Sequence, residues 1–315
     1  MKIIKMNTGK YLIASTSILI GIAVLMFVSF TATSVFSANN DRFNMTVDIS
    51  NVAPTISNTT MLFNDSVGGA GISLTASLDT NLVSCNATAS DVNGWQDIVS
   101  ASAKFYHSTS SVGATNDKNL HYSAVNGTLG VTKCDIGAGS ANDVPIICQI
   151  YFEHEATNGT WYCNITVTDS ASATGSNLTS TTVSALVAMT VANNTLAYGS
   201  MSPDTDSSTL IANITNEGNV QIGIQVNGTA MVCSTTGNIP LTNIKYSTTN
   251  QAYTAMSTAL TGTAATVSGF TLQPEGISPF VEDQNGTLNT YWAIGVPVGV
   301  KGTCVGNVTV TGIAV

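Results

Sequence analysis

Beyond residue 40 the chain alternates apolar and polar residues in short runs, and no long stretch repeats with the 3.6-residue period of an amphipathic helix. The runs are rich in Val, Ile, Thr and aromatics. They include "NLVSCNATAS", "DIVSASAKFYH", "PIICQIYFE", "TWYCNITVTD", "VSALVAMTVA", "STLIANITN", "VQIGIQVNG", "AATVSGFTL", "YWAIGVPVG" and "GNVTVTGIAV". Turn signals such as Asn126-Gly127, Asn158-Gly159 and Glu217-Gly218-Asn219 separate them. Many short strands punctuated in this way predict an all-β sandwich or barrel.

Two of these runs carry a cysteine beside an Asn-x-Thr sequon. Successive side chains of a strand point to opposite faces. Trp161, Cys163, Ile165 and Val167 therefore share one face, against Tyr162, Asn164, Thr166 and Thr168. Likewise Val83, Cys85, Ala87 and Ala89 oppose Asn86 and Thr88. The alternation predicts both thiols in a core and both sequons toward water, an opposition that a helix would not give.

The N-terminus breaks the pattern. Residues 12–30, "LIASTSILIGIAVLMFVSF", carry no charge, close to the roughly 20 residues of a spanning helix. Lys2, Lys5 and Lys10 precede the run and "SVFSA" follows it, with Val35 and Ser37 suited to a cleavage site. Residues 1–38 read as a signal peptide or as a signal-anchor helix. Either one places the rest outside, in secretion or on the extracellular face of the membrane. All 18 acidic residues lie after the run, against six basic ones, and Arg42 is the only arginine. That balance excludes nucleic acid as a partner, since phosphate binding needs clustered Lys and Arg.

Six cysteines in an oxidising compartment read as three disulfides: Cys85, Cys134, Cys148, Cys163, Cys233 and Cys304. The pattern favours Cys85–Cys163 across two sheets and Cys134–Cys148 as a local bridge. Cys233–Cys304 is then the remaining pair. The first resembles an immunoglobulin-type inter-sheet bridge, with Trp161 where a Tyr is usual two residues before the second cysteine. Trp95, ten residues after Cys85, falls either near an immunoglobulin core Trp or in a loop.

"ATASDVNGWQDIVSASAKFY" followed by "GTWYCNITVTDSASATG" resembles the immunoglobulin-like and cadherin-like modules of prokaryotic surface proteins. The C-terminal half, with "LIANITNEGNVQIGIQVNGTA" and "YWAIGVPVGVKGTCVGNVTVTGI", is similar to the closing β-domain of archaeal surface glycoproteins. The resemblance implies an all-β architecture: two tandem immunoglobulin-like β-sandwich domains, 44–185 and 186–315, after an N-terminal hydrophobic helix. It implies location but no particular activity.

Only 9% of residues are charged, against about 25% in an average soluble domain, so something else must keep the body soluble. Thirteen sequons supply a candidate: Asn44, Asn58, Asn64, Asn86, Asn126, Asn158, Asn164, Asn177, Asn193, Asn213, Asn227, Asn285 and Asn307. A Ser- and Thr-rich composition accounts for part of that number. Asn213 and Asn307, set within strands, must face outward to be used.

Catalytic groupings are poorly supported. The chain has three histidines and no H-E-x-x-H, G-x-S-x-G or P-loop pattern. His154, between Glu153 and Glu155, reads as a solvated edge residue. "DVNGWQD" spaces Asp91, Asn93 and Asp97 either as an Asx turn or as part of an oxygen-rich calcium site, with Asp169 a further ligand from a facing turn. Calcium is the one cofactor raised. The leading expectation is a non-enzymatic, N-glycosylated surface protein of structural or adhesive role. It would be held by the membrane if the N-terminal helix is retained, with other surface proteins or glycans as partners. The alternatives are a pilin-like filament subunit and a secreted glycan-binding module or hydrolase.

Overall fold

Alternation becomes strand almost residue for residue in the first half of the body. In the computed structural model, which describes residues 44–65, 71–76, 81–128, 130, 132–275 and 286–315, nine strands precede residue 184. They are β1 Thr55–Ile56, β2 Leu62–Asp65, β3 Asn81–Ser90, β4 Ile98–His107 and β5 His121–Asn126, then β6 Lys133–Ile136, β7 Asp143–Phe152, β8 Gly159–Asp169 and β9 Thr174–Val183. β3 alternates buried and half-buried over all ten residues, and β8 does so from Trp161 onward.

The strands run in the order β1-β3-β7-β6-β5-β4-β8-β9, with β2 also on β3. Every pairing is antiparallel except β5–β6, a two-residue parallel contact. β3 and β8 are not neighbours along this path, yet Cys85 and Cys163 join them, with Cα atoms 6.5 Å apart. The path thus folds over into two layers, β1-β3-β7-β6 and β5-β4-β8-β9, around one apolar cluster. Val83, Cys85, Ile146, Phe105, Trp161, Cys163 and Ile165 are fully buried there.

Where the layers meet at the other seam, Asn177 of β9 donates to the Ile56 carbonyl at 2.9 Å. A Cβ on Gly175 would lie 2.0 Å from the Pro54 carbonyl oxygen, so only glycine lets these backbones pass. Trp161 packs at tilted and edge-on angles among Phe152 (4.7 Å), Tyr122 (5.8 Å) and His107 (5.8 Å), and its indole N–H donates to the Thr157 carbonyl. Trp95 takes the loop alternative, in a 3₁₀ turn (Trp95–Asp97) ahead of β4. On β4 it is Phe105 that stands opposite Cys163.

The second half contains β10 Met189–Val191, β11 Thr205–Asp206, β12 Leu210–Asn216, β13 Ile222–Gly228, β14 Met231–Cys233 and β15 Asn238–Ile239. It continues with β16 Ile244–Ser247, β17 Thr258–Ala259, β18 Ala265–Thr266, β19 Thr287–Val296, β20 Cys304–Val305 and β21 Val308–Ala314. One sheet runs β10-β12-β19-β16-β17, with β11 on β19; two smaller ones run β18-β13-β21 and β15-β14-β20. Ile214, Ile222, Ile224, Phe270, Trp292 and Ile294 form a separate buried cluster between them.

Residues Asn51–Val315 form one compact unit containing both clusters. Of the other unit, Met1–Ser50, only 44–50 are described, exposed and without regular structure. The apolar run 12–30 and its signal or anchor helix lie outside the described residues. Among the described residues no helix is long and apolar enough to cross a membrane, and helical structure is confined to four 3₁₀ turns.

Two strand expectations change. "VSALVAMTVA" gives up its first residue, Val183, to β9 and then forms strand only at Met189–Val191, because Leu186 turns its N–H to the Asn219 carboxamide (2.6 Å) rather than to a ladder. "AATVSGFTL" keeps a two-residue strand, β18, before Gly269 turns the chain at φ +74°, and a lone bridge from Leu272 to Ile222 after it.

Candidate functional site

The end of β3 and the end of β8 lie at the same pole of the first sandwich, because β4 runs antiparallel to β8 with Ile98 opposite Asp169. β3 stops at Asp91, whose Oδ1 accepts the Asn93 N–H (2.8 Å) in an Asx turn. Gly94, at φ +112°, then leads into the 3₁₀ turn that carries Asp97. Ser170 closes the other turn on it: its N–H donates to the Asp97 carbonyl at 2.9 Å, and its hydroxyl bonds Asp97 Oδ1.

This brings Asp91, Asp97 and Asp169 together, with one carboxylate oxygen of each within 4.8 Å of the others. Asp91 and Asp169 are each 1% exposed; Asp97 is half-buried. Asp169 accepts from Asn51 Nδ2 (2.8 Å) and the Ala173 N–H (2.7 Å), and the Asn51 bond is the main cause that holds its carboxyl below the ordinary carboxylate value. Asp91 Oδ2 is buried without a hydrogen-bond partner. The Lys118 ion pairs and the contacts of His154 with Glu155 and Glu217 involve none of these three carboxylates. Asn93, expected as a ligand, is exposed and its Oδ1 accepts the Val52 N–H at 2.9 Å. The segment at 51–52 is thereby pinned to both acidic turns.

A second polar group was not visible in the sequence. His154 is not a solvated edge residue: it is 5% exposed, in a turn after β7, 3.5 Å from Glu155 through Nδ1 and 3.5 Å from Glu217 through Nε2. Lys118 pairs with Glu155 (3.3 Å) and Glu275 (3.4 Å). Burial disfavours the charge on Lys118, but the two carboxylates outweigh it and its pKa rises. Nearby, Asn219 is fully enclosed, donating to the Ala156 (2.9 Å) and Ser184 (3.0 Å) carbonyls. These residues tie the turn after β7 to the turn after β12. The signal was faint, since sparse charges far apart in sequence carry no period.

His107 and His121 are buried in the first sandwich. Burial is the main cause that lowers both pKa values, opposed by backbone hydrogen bonds at Asn158 and Val112 respectively. The unfolded chain therefore binds protons that the fold refuses once the pH drops below about 6.5. Stability should be complete above that pH and fall as acid approaches the folded-state values. Urea midpoints at pH 7.5 and pH 5.5 should differ in that sense, and His121→Gln should reduce the difference.

Cys134–Cys148 and Cys233–Cys304 complete the bridges the pattern favours, each between directly opposed residues of paired strands. Of the sequons, Asn44, Asn58, Asn126, Asn158, Asn193 and Asn307 are exposed. Asn64, Asn86, Asn164, Asn177, Asn213 and Asn227 are half-buried, and Asn285 lies outside the described residues. Asn307 sits in the turn before β21, not within a strand. A cleft of about 600 Å³ in the second half is lined by Leu196, Tyr198, Met201, Met231, Val296 and Lys301, without a paired acid and base.

Fold and bridges define a disulfide-stapled, nearly all-β protein. No family model and no curated protein matches the chain. Among solved structures it is similar to a protein described under the promiscuous specificity of carbohydrate-binding modules from the β-sandwich superfamily. The identity is 14%, over 84% of this chain and 98% of that one, with a TM-score of 0.25. It is also similar to the C-terminal domain of the Streptococcus agalactiae AgI/II polypeptide BspA, at 10% identity over 83% and 97%, with a TM-score of 0.21. At TM-scores this low the architecture rests on the strand pairing itself.

Proposed function

We propose that this chain is a non-enzymatic, N-glycosylated protein of the extracellular surface with a structural or adhesive role, built from two β-sandwich modules on an archaeal-type plan. The observation that carries the reading is the opposition on β3 and β8. Cys85 and Cys163 are fully buried and bonded, while Asn86 and Asn164, one residue on, lie on the outer faces. Three bridges with no free cysteine among the described residues fit an oxidising compartment. The order β1-β3-β7-β6 over β5-β4-β8-β9 supports an immunoglobulin-type sandwich for the first module. The change of buried cluster across residues 184–188 supports a module boundary near 185.

Sugar at the exposed sequons would solubilise a body with few charges and shield the Ser- and Thr-rich strand β9, which pairs with β8 along its length and meets Ile72 only at its end, at Val183. The test is glycopeptide mass spectrometry on protein from its native host. Glycan at Asn126, Asn158 and Asn164, with three intact bridges, is the expected result. Unmodified asparagine at every exposed sequon, or reduced thiols in the native protein, would overturn the reading.

A further inference from the structure

We propose that Asp91, Asp97 and Asp169 hold a calcium ion that staples the β3–β4 connection, the β8–β9 turn and the 51–52 segment into one pole. The proposal stands independently of glycosylation. Three oxygens within 4.8 Å of one another fall within the span of a single ion whose ligands sit at roughly 2.3–2.6 Å. An acidic trio alone would be a weak argument. What points to a ligand is Asp91: 1% exposed, its Oδ1 is taken by the Asn93 N–H, and its Oδ2 is enclosed with no hydrogen-bond partner. Buried carboxylate oxygens are otherwise paired, hydrogen-bonded or on a metal.

The donor set is all oxygen, which selects a hard cation over zinc or copper. Carboxylates contributed by a tight turn, a 3₁₀ turn and a strand end suit the irregular sphere of calcium better than the octahedron magnesium demands. Half-buried Asp97 leaves an open side from which water completes six to eight ligands. The neighbours already fix the carboxylates in place. Ser170 binds Asp97, Asn51 and the Ala173 N–H bind Asp169, and Asn93 links Asp91 to the Val52 N–H. An ion here would bind the folded state alone, so it would stabilise by mass action.

The test uses the full chain, stripped with EDTA and dialysed, with CaCl₂ as the probe. Calcium at about a hundredfold over its Kd should raise Tm by roughly 5–10 °C. Terbium should bind in its place and emit on excitation of Trp95, which lies in the same 3₁₀ turn as Asp97. Asp91→Asn keeps an acceptor for the Asn93 N–H and removes one charge. It should fold in EDTA at least as stably as the parent and lose the calcium shift by tenfold or more in concentration. Asp97→Asn, at a half-buried position, repeats the measurement if Asp91→Asn fails to fold. No calcium shift up to 10 mM, an undiminished shift in the folded variant, or an equal shift with MgCl₂ would each overturn the assignment.

Discussion

Replacing Cys85 and Cys163 together with alanine should lower the unfolding free energy by about 4.5 kcal/mol, from chain entropy alone for a closure across 78 residues. Losing two sulfur atoms from fully buried positions adds a cavity between the layers, which contributes to the loss beside the entropic figure. Chain entropy gives nearly the same figure for Cys233–Cys304, 71 residues apart. That bridge joins adjacent strands and has one half-exposed cysteine, so its removal should leave less of a void. Removing Cys134–Cys148, only 14 residues apart, should cost about 3 kcal/mol.

The double variant is the informative one because of register. Cys85 stands directly opposite Cys148 on β7, and Cys148 directly opposite Cys134 on β6. A Cys163→Ala single variant leaves the Cys85 thiol beside an existing bridge, where exchange yields mixed pairings on peptide mapping. Denaturant unfolding of the double variant checks the magnitude; a loss below about 1 kcal/mol would show that the bridge does not hold the layers together.

How much of this was legible follows the alternation. β3 and β8 could be read face by face because one side of each is buried and the other half-open. The meeting of Asp91, Asp97 and Asp169 was anticipated for the same reason, since the turn that leaves β3 and the turn that ends β8 share a pole. β9 hid because its sequence, "TGSNLTSTTV", buries only Val183, and nothing apolar marks its period. β19 hid its beginning, "TLNT", for the same reason: its one apolar residue, Leu288, is exposed and only Thr290 is buried. Its end was overrun because Pro297 and Gly299 leave the ladder. His154 was misplaced because the Glu217 that faces it is 63 residues away in a different sheet's turn. Strand period places a residue on a face, and only tertiary packing decides what covers that face.

The same limit concealed Asn219, whose replacement is expected to rival the loss of a disulfide. Its amide donates to the Ala156 and Ser184 carbonyls and its oxygen accepts the Leu186 N–H, so one side chain serves three backbone groups from the turn after β7 and from the connection at 184–188. Asn219→Leu removes all three partners in a site only 1% exposed. Each buried group left unsatisfied costs about 1–3 kcal/mol, so a loss of roughly 3 kcal/mol or more is expected. Gly218 constrains the repair, since a Cβ there would lie 2.2 Å from the Leu186 carbonyl oxygen and the turn cannot shift to readmit water without moving that strand connection. Asn219 reaches residues that belong to the first buried cluster from a turn that belongs to the second. Its loss should therefore separate them: one urea transition in the parent, two in Asn219→Leu, with amides of β12 and β13 exchanging before those of β4 and β8. A single unshifted transition in the variant would mean that the contacts of His154 and Lys118 with Glu155, Glu217 and Glu275, rather than this amide, couple the two halves.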